Sequence, residues 1–363
     1  MRRVMVVGAG GNIGSQVVSH VGRMAGVTDV LLVDRDCYDA SNRVGQAIDV
    51  RDVGRPKVAV QKGRLRRVNP DLTISAVRAP AESLPLGAFR ADVILVCLDS
   101  RRGRMHVNQA AWRLGTTWIN AGVDGEGLLA RVQVFVPGAE AACLECPWDE
   151  SDYNAVEQDY PCQGDGAALA APTGAPSQIG ALAAALQAVE CVKVLDGQIE
   201  EALIGRDLLL DVRRHRHYVT TFRRNPACRM PDHAGWRIEP LGGSPDELTL
   251  GDVLALGSAL RGAGDRLVCS IAGQRVAMHA TCTGCRARSE ALRLEHRPLP
   301  RACRRCGAVV RPTGFDLHDA VALGDIPALL LDLPVSRAGV VKGDVVTLVT
   351  PAVEVHYEIG GAP

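Results

Sequence analysis

The sequence has few aromatic residues and no excess of charge of either sign. Phe, Trp and Tyr make up only 4% of its 363 residues, so a surface that stacks aromatic rings on nucleic-acid bases is not favoured. Lys and Arg together number 41, and Asp and Glu together also number 41. A general binder of nucleic acid or of a membrane surface needs a basic excess, so the composition predicts neither.

No apolar run is expected to reach the length of a membrane span, and the apolar run 4–7 follows Met1 without a leader sequence. Apolar residues still make up 47% of the chain, which predicts a folded protein of two or three domains. Twelve cysteines without an export signal do not indicate disulfides. We therefore expect a cytoplasmic protein that does not bind membranes.

The first forty residues contain the pattern of a nucleotide-binding unit: a strand, a glycine turn, a helix, a second strand and Asp34. The turn is Gly8-Ala9-Gly10-Gly11-Asn12-Ile13-Gly14. Glycines let the backbone approach phosphate, the helix N-terminus attracts negative charge, and the acid accepts hydrogen bonds from ribose. The spacing is one residue longer than the standard dinucleotide fingerprint, and a turn that binds nothing is the alternative.

Alternating strands and helices over residues 1–120 predict a doubly wound, Rossmann-like α/β sheet. The expected strands lie near residues 4–7, 29–33, 72–77, 92–97 and 116–120. Ligands of such sheets bind at the carboxyl ends of the strands, where the glycine turn, Asp34 and Asp99 fall. From its position alone, Asp99 is a candidate N-cap for a helix that begins near Arg101, a role that is compatible with metal binding.

Three C-x-x-C pairs indicate metal binding. Cys282 and Cys285 are followed, after 17 residues, by Cys303 and Cys306. Four thiolates at this spacing are typical of a zinc ribbon, which we expect to be structural or to serve in docking. The pair Cys143-x-x-Cys146 supplies half of another tetrahedral site. A redox role for this pair is less favoured, because it does not open a helix after a strand.

Further short motifs follow in a fixed order. They are Asp34-Arg35-Asp36, Ser41-Asn42-Arg43-Val44-Gly45-Gln46, Asp52-Val53-Gly54-Arg55-Pro56-Lys57, Asn69-Pro70, Asp99 with Arg104 and Asn108, Gly122 and Gly125, and Cys143-Leu144-Glu145-Cys146. Their order and spacing resemble the ThiF/MoeB/HesA family, the ubiquitin-activating-enzyme-like adenylyltransferases. The resemblance covers roughly the first two thirds of the chain, and it ends near a predicted helix at 178–195.

The resemblance implies an enzyme that uses ATP and Mg²⁺ to adenylate the C-terminal glycine carboxylate of a ubiquitin-like or sulfur-carrier protein. It implies nucleotide contacts at Gly8, Gly10, Gly11, Gly14, Asp34, Asn42, Gln46, Lys57 and Asp99. Among these, Asp34 would hold ribose and Asp99 magnesium, and Lys57 with Arg43 would stabilise the transferred charge. Without the resemblance, Lys57 is an ordinary surface lysine and Asn42 and Gln46 are polar loop residues.

The resemblance also implies partners and further site residues. Cys162 occupies the place of a cysteine that takes the acyl group as a thioester in some members and is unused in others. Family members pair the C-x-x-C with a second pair after the long helix, and here Cys228 and His233 are the candidates for a zinc site. A buried Cys228 and a surface His233 are the alternative. A homodimer and a conjugating or sulfur-donor protein complete the expected partners.

Two departures from the family pattern stand out. The family has arginine just before the glutamine of its motif, whereas this chain has Gly45, and Arg43 is expected to take over. Family members usually carry a leading helix whose arginine enters the partner subunit's site. This sequence starts in the first strand, so we expect that Arg101, Arg102, Arg104 or a partner protein fills that role, or that adenylation is weakened.

The expected domains are an adenylation domain at 1–235 and a zinc-ribbon-containing α+β domain at 236–363. We expect a linker at 242–245, a short helix near 317–322 and strands near 344–349 and 353–359. Two rival functions stay open. An NAD(P)-dependent oxidoreductase explains the glycine turn and Asp34, but not Lys57 or the cysteine pairs. A non-catalytic, zinc-stapled scaffold derived from an adenylating enzyme would explain Gly45.

Overall fold

The computed structural model describes residues 1–157, 174–230, 233–262, 266–297, 301–312 and 316–361. The chain divides into two compact units. The first comprises Met1–Ala81 and Phe89–Gly235, and the second comprises Glu82–Ala88 and Trp236–Pro363. A short segment from the N-terminal half therefore belongs to the second unit, where the amide of Gly87 donates to the carbonyl of Gly343 at 2.8 Å.

The first unit alternates strands and helices. Its strands are β1 (Arg2–Val7), β2 (Val27–Val33), β3 (Thr73–Val77), β4 (Val93–Val96), β5 (Trp118–Asp124), β6 (Leu129–Phe135), β7 (Arg206–Asp211) and β8 (Arg216–Thr221). Its α-helices are α1 (Gly14–Val21), α2 (Lys57–Val68), α3 (Arg101–Leu114), α4 (Glu150–Glu157) and α5 (Ser177–Leu195). Short 3₁₀ turns lie at Ala40–Val44 and Val50–Asp52.

These strands form one mixed sheet in the order β3-β2-β1-β4-β5-β6-β7-β8. The first five strands in this order are parallel to one another, and β6, β7 and β8 each pair antiparallel with the strand before. The apolar runs predicted as strands bury both faces, as parallel strands covered by helices do. The predicted Rossmann-like sheet with a mixed second half is therefore confirmed.

Helix α5 packs against α1, β4, β5 and β6. Among the described residues it alone has the length and hydropathy of a membrane span, with 19 residues and a mean hydropathy of 1.4. The expectation that no apolar run reaches that length is therefore wrong, since α5 meets the criteria of length and composition. However, Gln187 in its middle is buried and donates to the carbonyls of Val96 and Ile119 at 3.1 and 2.8 Å. These contacts are those of a core helix.

The second unit is built mainly of short strands. They are β9 (Ile238–Leu241), β10 (Val268–Ile271), β11 (Val276–Cys282), β12 (Arg288–Leu294), β13 (Arg301–Ala302), β14 (Val309–Pro312), β15 (Leu317–His318), β16 (Val321–Ala322), β17 (Val345–Val349) and β18 (Glu354–Ile359), with helix α6 (Leu250–Ser258). One sheet has the order β16-β10-β17-β18-β9, and the other has the order β12-β11-β14-β13 with β15 on β11. The predicted strands near 344–349 and 353–359 are confirmed.

Two expectations for this unit are wrong. Residues 317–322 do not form a helix, because Leu317 pairs with β11 and Val321 pairs with β10, and these pairings extend two sheets. Residues 242–245 are not a linker between domains. They lie inside the second unit after β9, which pairs with β18, and Ser244 closes a turn by accepting from the amide of Leu248 at 2.9 Å.

Candidate functional site

The glycine turn joins the carboxyl ends of β1, β2 and β4. The amides of Gly8 and Ala9 donate to the carbonyl of Val33 at 2.8 and 3.1 Å. Gly8 has a φ of +81°, and a β-carbon on it would lie 2.7 Å from the carbonyl oxygen of Cys97. Both the left-handed backbone and the close approach therefore require glycine at this position.

Asp34 holds the turn directly. Its Oδ2 accepts from the amide of Gly10 at 2.8 Å, and its Oδ1 accepts from the amide of Asp36 at 3.0 Å. Burial raises the pKa of Asp34, and the nearby Lys57 and the two amides oppose that shift. Asp34 thus shapes the backbone of the glycine turn, and its predicted contact with ribose stays a prediction.

Lys57 is the first residue of α2 and packs against the same turn. A β-carbon on Gly10 would lie 2.4 Å from Cβ of Lys57, so the lysine stem occupies the space that a side chain at position 10 would take. Its Nζ lies 3.6 Å from Oδ2 of Asp36 and 5.7 Å from the centre of the Tyr38 ring. Lys57 is only 8% exposed, so it is not an ordinary surface lysine.

Tyr38 and Gln61 support this lysine and were not singled out from the sequence. Both side chains are buried, and the Tyr38 hydroxyl accepts from Nε2 of Gln61 at 2.7 Å. Burial raises the pKa of Tyr38 well above its usual range, so the ring is neutral. The available signal was a polar glutamine on the otherwise apolar face of the helix that begins at Lys57.

The segment that carries Asn42, Arg43 and Gln46 begins with a capped 3₁₀ turn. Asp39 accepts from the amides of Ser41 and Asn42 at 2.7 and 3.2 Å, and Oδ1 of Asn42 accepts from the amide of Asp39 at 3.1 Å. Arg43 is exposed and Gln46 is half-buried. Contacts of these three residues with a nucleotide stay predictions.

Asp99 follows β4 and is exposed at the carboxyl end of the parallel strands. It is not the cap of α3, because Ser100 is the N-cap residue and its Oγ accepts from the amide of Gly103 at 3.1 Å. Arg104 donates from Nε and Nη2 to the carbonyl of Leu98 at 3.0 and 2.6 Å. Burial lowers the pKa of Arg104, and the Asp99 carboxylate opposes that shift.

Arg101 is one of the arginines expected to replace the arginine of the family's leading helix, and it forms an ion pair with Asp152. Arg104 is held at the end of β4 as described, and a β-carbon on Gly122 would lie 3.3 Å from its Nη2. Cys162 lies outside the described residues.

Cys143, Cys146, Cys228 and His233 form one cluster, in which all four ligand atoms lie within 4.8 Å of one another. Sγ of Cys143 and Sγ of Cys228 are 3.7 Å apart, close to the ~3.8 Å expected between two thiolates in a tetrahedral zinc site. His233 is 4% exposed, which contradicts the alternative of a surface histidine.

The surroundings of this cluster also fit a metal. Nδ1 of His233 lies 3.1 Å from the carbonyl of Ala141, and Nε2 is buried and has no hydrogen-bond partner among the residues that the structure describes, as expected of a ligating nitrogen. Backbone amides donate to the sulfurs of Cys143 and Cys146 at 3.3 and 3.4 Å. From α3, Asn108 accepts from the amide of Leu144 at 3.3 Å and so anchors this segment.

Cys282, Cys285, Cys303 and Cys306 form a second cluster within the same 4.8 Å limit. The Sγ distances are 3.4 Å between Cys282 and Cys306 and 3.6 Å between Cys285 and Cys303. Hydrogen bonds to Sγ of Cys282, above all from the amide of Cys285 and also from that of Gly284, lower the pKa of that thiol to about 6. The structure brings the four cysteines of the expected zinc ribbon together, and the donor set fits a metal that takes four thiolates.

The sequence pattern of the ThiF family matches residues 1–230, so the chain belongs to the ThiF family. It is similar to the sulfur carrier protein ThiS adenylyltransferase of Escherichia coli (strain K12), with 29% identity over 242 residues that cover 66% of this chain and 88% of that protein. It is also similar to ubiquitin-like modifier-activating enzyme 5 of Oryza sativa subsp. japonica. That match has 30% identity over 158 residues, which cover 39% of this chain and 37% of that protein.

Solved structures of E. coli MccB share the fold. The complex of MccB with ATP has a TM-score of 0.51 and 21% identity, over 64% of this chain and 66% of that chain. The complex of MccB with N-formylated MccA has a TM-score of 0.51 and 21% identity, over 64% of this chain and 67% of that chain. At this identity the likeness shows the mixed Rossmann-like fold alone.

Proposed function

We propose that this chain is an ATP-dependent adenylyltransferase that activates the C-terminal carboxylate of a ubiquitin-like protein, a sulfur-carrier protein or a peptide. The observation that carries the proposal is the convergence of Asp34 and Lys57 on Gly10 of the glycine turn, inside the part of the chain matched by the ThiF family. The names of the relatives, which include a ThiS adenylyltransferase and a ubiquitin-like modifier-activating enzyme, support the choice of substrate class.

In the proposed reaction, a carboxylate oxygen of the substrate attacks the α-phosphorus of ATP. The bond from that phosphorus to the oxygen bridging the α- and β-phosphates breaks, which gives an acyl-adenylate and pyrophosphate. The amides of the glycine turn and the N-terminus of α1 would bind phosphate oxygens, and the Lys57 ammonium and the Arg43 guanidinium would stabilise the charge that moves to pyrophosphate. Asp34 would accept from ribose, and Asn42 and Gln46 would contact the adenylate.

Magnesium would be held by Asp99, an exposed carboxylate at a strand end, and would neutralise phosphate charge. Each cysteine cluster would hold one Zn²⁺. Because the protein supplies four ligands in each cluster, both sites would be closed and structural rather than catalytic. In such sites, the free energy of metal binding stabilises the folded state.

Four further proposals rest on the sequence alone. Cys162 would take the acyl group as a thioester, after which a conjugating or sulfur-donor protein would act. The enzyme would be a homodimer. It would work in the cytoplasm. Residues 1–235 would carry adenylation, and residues 236–363 would form a zinc-ribbon domain for docking or support.

The test is ATP–pyrophosphate exchange with the purified chain, using candidate carrier proteins and peptides that end in glycine. Exchange that depends on both Mg²⁺ and the carrier supports the proposal. ATP binding without exchange across the panel would favour the scaffold. A preference for NAD(P) over ATP would favour the oxidoreductase.

A further inference from the structure

The glycine turn is one residue longer than the standard fingerprint, and Asn12 lies in the lengthened part. Its Nδ2 donates to the carbonyl of Gly45 at 2.7 Å and to the carbonyl of Ala175 at 2.9 Å. These acceptors are 33 and 163 residues away in sequence. One amide group therefore joins the turn to the segment that carries Arg43 and to the residue before the N-cap of α5.

Two glycines make room for this arrangement. A β-carbon on Gly180, in the first turn of α5, would lie 1.9 Å from Oδ1 of Asn12. A β-carbon on Gly45 would lie 2.9 Å from the carbonyl oxygen of Ala175 and 3.1 Å from Nδ2 of Asn12. Gly45 has a φ of −115°, and neither glycine has the positive φ that requires glycine. The lack of space for a side chain around Asn12 explains why both positions are glycine. One of them, Gly45, lies where the resembled family has arginine.

The segment between these contacts is held at both ends. At its start, Asp39 and Asn42 cap the 3₁₀ turn Ala40–Val44. At its end, Asn12 holds the carbonyl of Gly45, and the amide of Ala47 donates to Oγ of Ser15 at 3.0 Å. Asn12 and Ser15 belong to the glycine turn and to α1. Arg43 thus lies on a short segment whose C-terminal end, at Gly45 and Ala47, is hydrogen-bonded to the proposed phosphate site.

We propose that Asn12 is a positioning residue for adenylation, which holds the 42–46 segment so that Arg43 acts on phosphates bound by the glycine turn. This inference rests on the proposed function. The amide of asparagine has two N–H hydrogens, and both are used by the carbonyls of Gly45 and Ala175. Oδ1 of Asn12 is buried where a β-carbon on Gly180 would lie, so the amide acts through Arg43 rather than on the nucleotide. Charge stabilisation depends on donors fixed before the reaction, since small displacements lower the rate steeply.

Two variants disturb Asn12 from different sides. Asn12→Ala removes both hydrogen bonds, and Gly180→Ala keeps the amide but displaces it by steric overlap. Gly63→Ala is the matched control, because Gly63 is also helical and its β-carbon would meet nothing closer than 3.8 Å in the described part of the chain. We expect both test variants to lower kcat for exchange by up to about 10²-fold with little change in KM for ATP, and the control to keep wild-type kinetics. Wild-type kcat in Asn12→Ala would overturn the proposal.

Double variants separate positioning from general damage. If Asn12 acts through Arg43, then Asn12→Ala combined with Arg43→Ala loses no more activity than Arg43→Ala alone. Asn12→Ala combined with Lys57→Ala should lose the product of the two single effects. Independent, multiplicative effects of Asn12→Ala and Arg43→Ala would overturn the proposal.

Hydrogen–deuterium exchange distinguishes failure of this inference from failure of the proposed function, since it needs no substrate. In Asn12→Ala, amides at 45–47 and in the first turn of α5 should exchange faster than in the wild type, and amides of α2 should not change. If the wild type lacks adenylation activity, this measurement still tests whether Asn12 holds the 42–46 segment. Unchanged exchange at 45–47 would overturn it.

Discussion

The stem of Lys57 lies against Gly10 so closely that a β-carbon on Gly10 would come within 2.4 Å of Cβ of Lys57. The contact fixes the lysine beside the backbone of the glycine turn, although 47 positions separate the two residues in the sequence. It also places the start of α2 against the turn whose Gly10 amide donates to Asp34. Phosphate binding at this site would therefore depend on Lys57 and Asp34, both of which contact Gly10.

This contact predicts a position-specific effect of alanine within the turn. Gly10→Ala should lower the free energy of unfolding by about 1–3 kcal/mol, because the added methyl group overlaps a buried lysine stem. Gly11→Ala is the control, since its β-carbon would lie no closer than 3.4 Å to any atom of the residues that the structure describes. Denaturant unfolding of both variants measures the difference. Equal losses in the two variants would contradict the geometry.

Asp34→Asn should also destabilise the turn, because both carboxylate oxygens accept backbone hydrogen bonds and asparagine offers only one such oxygen. One backbone amide would then face an NH₂ group without an acceptor, which should lower the free energy of unfolding by about 1–3 kcal/mol. Burial raises the pKa of Asp34 above 3.8, so the folded state binds more protons than the unfolded state just above that pH. The stability of the wild type relative to Asp34→Asn should therefore be largest below pH 3.8 and decrease as pH rises through the folded pKa.

The pH dependence can be measured by urea unfolding of both proteins over an acid series. A difference between the two proteins that grows with rising pH would show that the amides and Lys57 outweigh burial at Asp34.

Asp99→Ala should abolish carrier-dependent exchange while the protein stays folded, because an exposed carboxylate with no capping role is lost. Some loss of stability is expected, because the Asp99 charge offsets the burial of Arg104. Its neighbour provides the opposite control. Ser100→Ala removes the N-cap of α3 and should cost about 1 kcal/mol of stability while exchange continues. Wild-type exchange by Asp99→Ala would remove Asp99 from the magnesium site.

Metal analysis should find two zinc ions per chain. Cys143→Ser and Cys282→Ser should each remove one ion, because each cluster loses one of four ligands. Cys191→Ser is the control, since Cys191 is a buried thiol outside both clusters and its loss should leave both ions bound. One zinc ion in the wild type, unaffected by Cys143→Ser, would restrict metal binding to the second cluster.

Arg43→Ala should slow exchange by about 10²–10³-fold, the usual effect of losing one charge-stabilising group from a transition state. Arg51→Ala, at an exposed arginine a few residues further along, should have no effect. Unchanged turnover in Arg43→Ala would transfer the role to another arginine or to a partner.

Local patterns were sufficient for much of this protein. The strands β1, β2 and β4 follow from apolar runs, because a strand buried on both faces needs apolar residues throughout. The glycine turn, Asp34 and the three C-x-x-C pairs could likewise be recognised, since their chemistry depends on residues close in sequence. The family resemblance rested on the same short motifs.

Relations between distant segments were decided only by the tertiary structure. Asn12 is one member of the glycine turn in the sequence, and nothing near it in sequence shows that it reaches Gly45 and Ala175. The expected helix at 317–322 became strands because partner strands supplied hydrogen bonds that no local preference encodes.

The sequence by itself determined the class of fold and the residue types available for nucleotide and metal chemistry, because these depend on spacing along the chain. Only the tertiary structure decided that Lys57 is buried against Gly10 and that Nε2 of His233 is buried within a cysteine cluster. The physical reason is that packing and ligand geometry depend on which backbones approach each other in space. That approach is settled by the burial of the whole core, and no short motif encodes it.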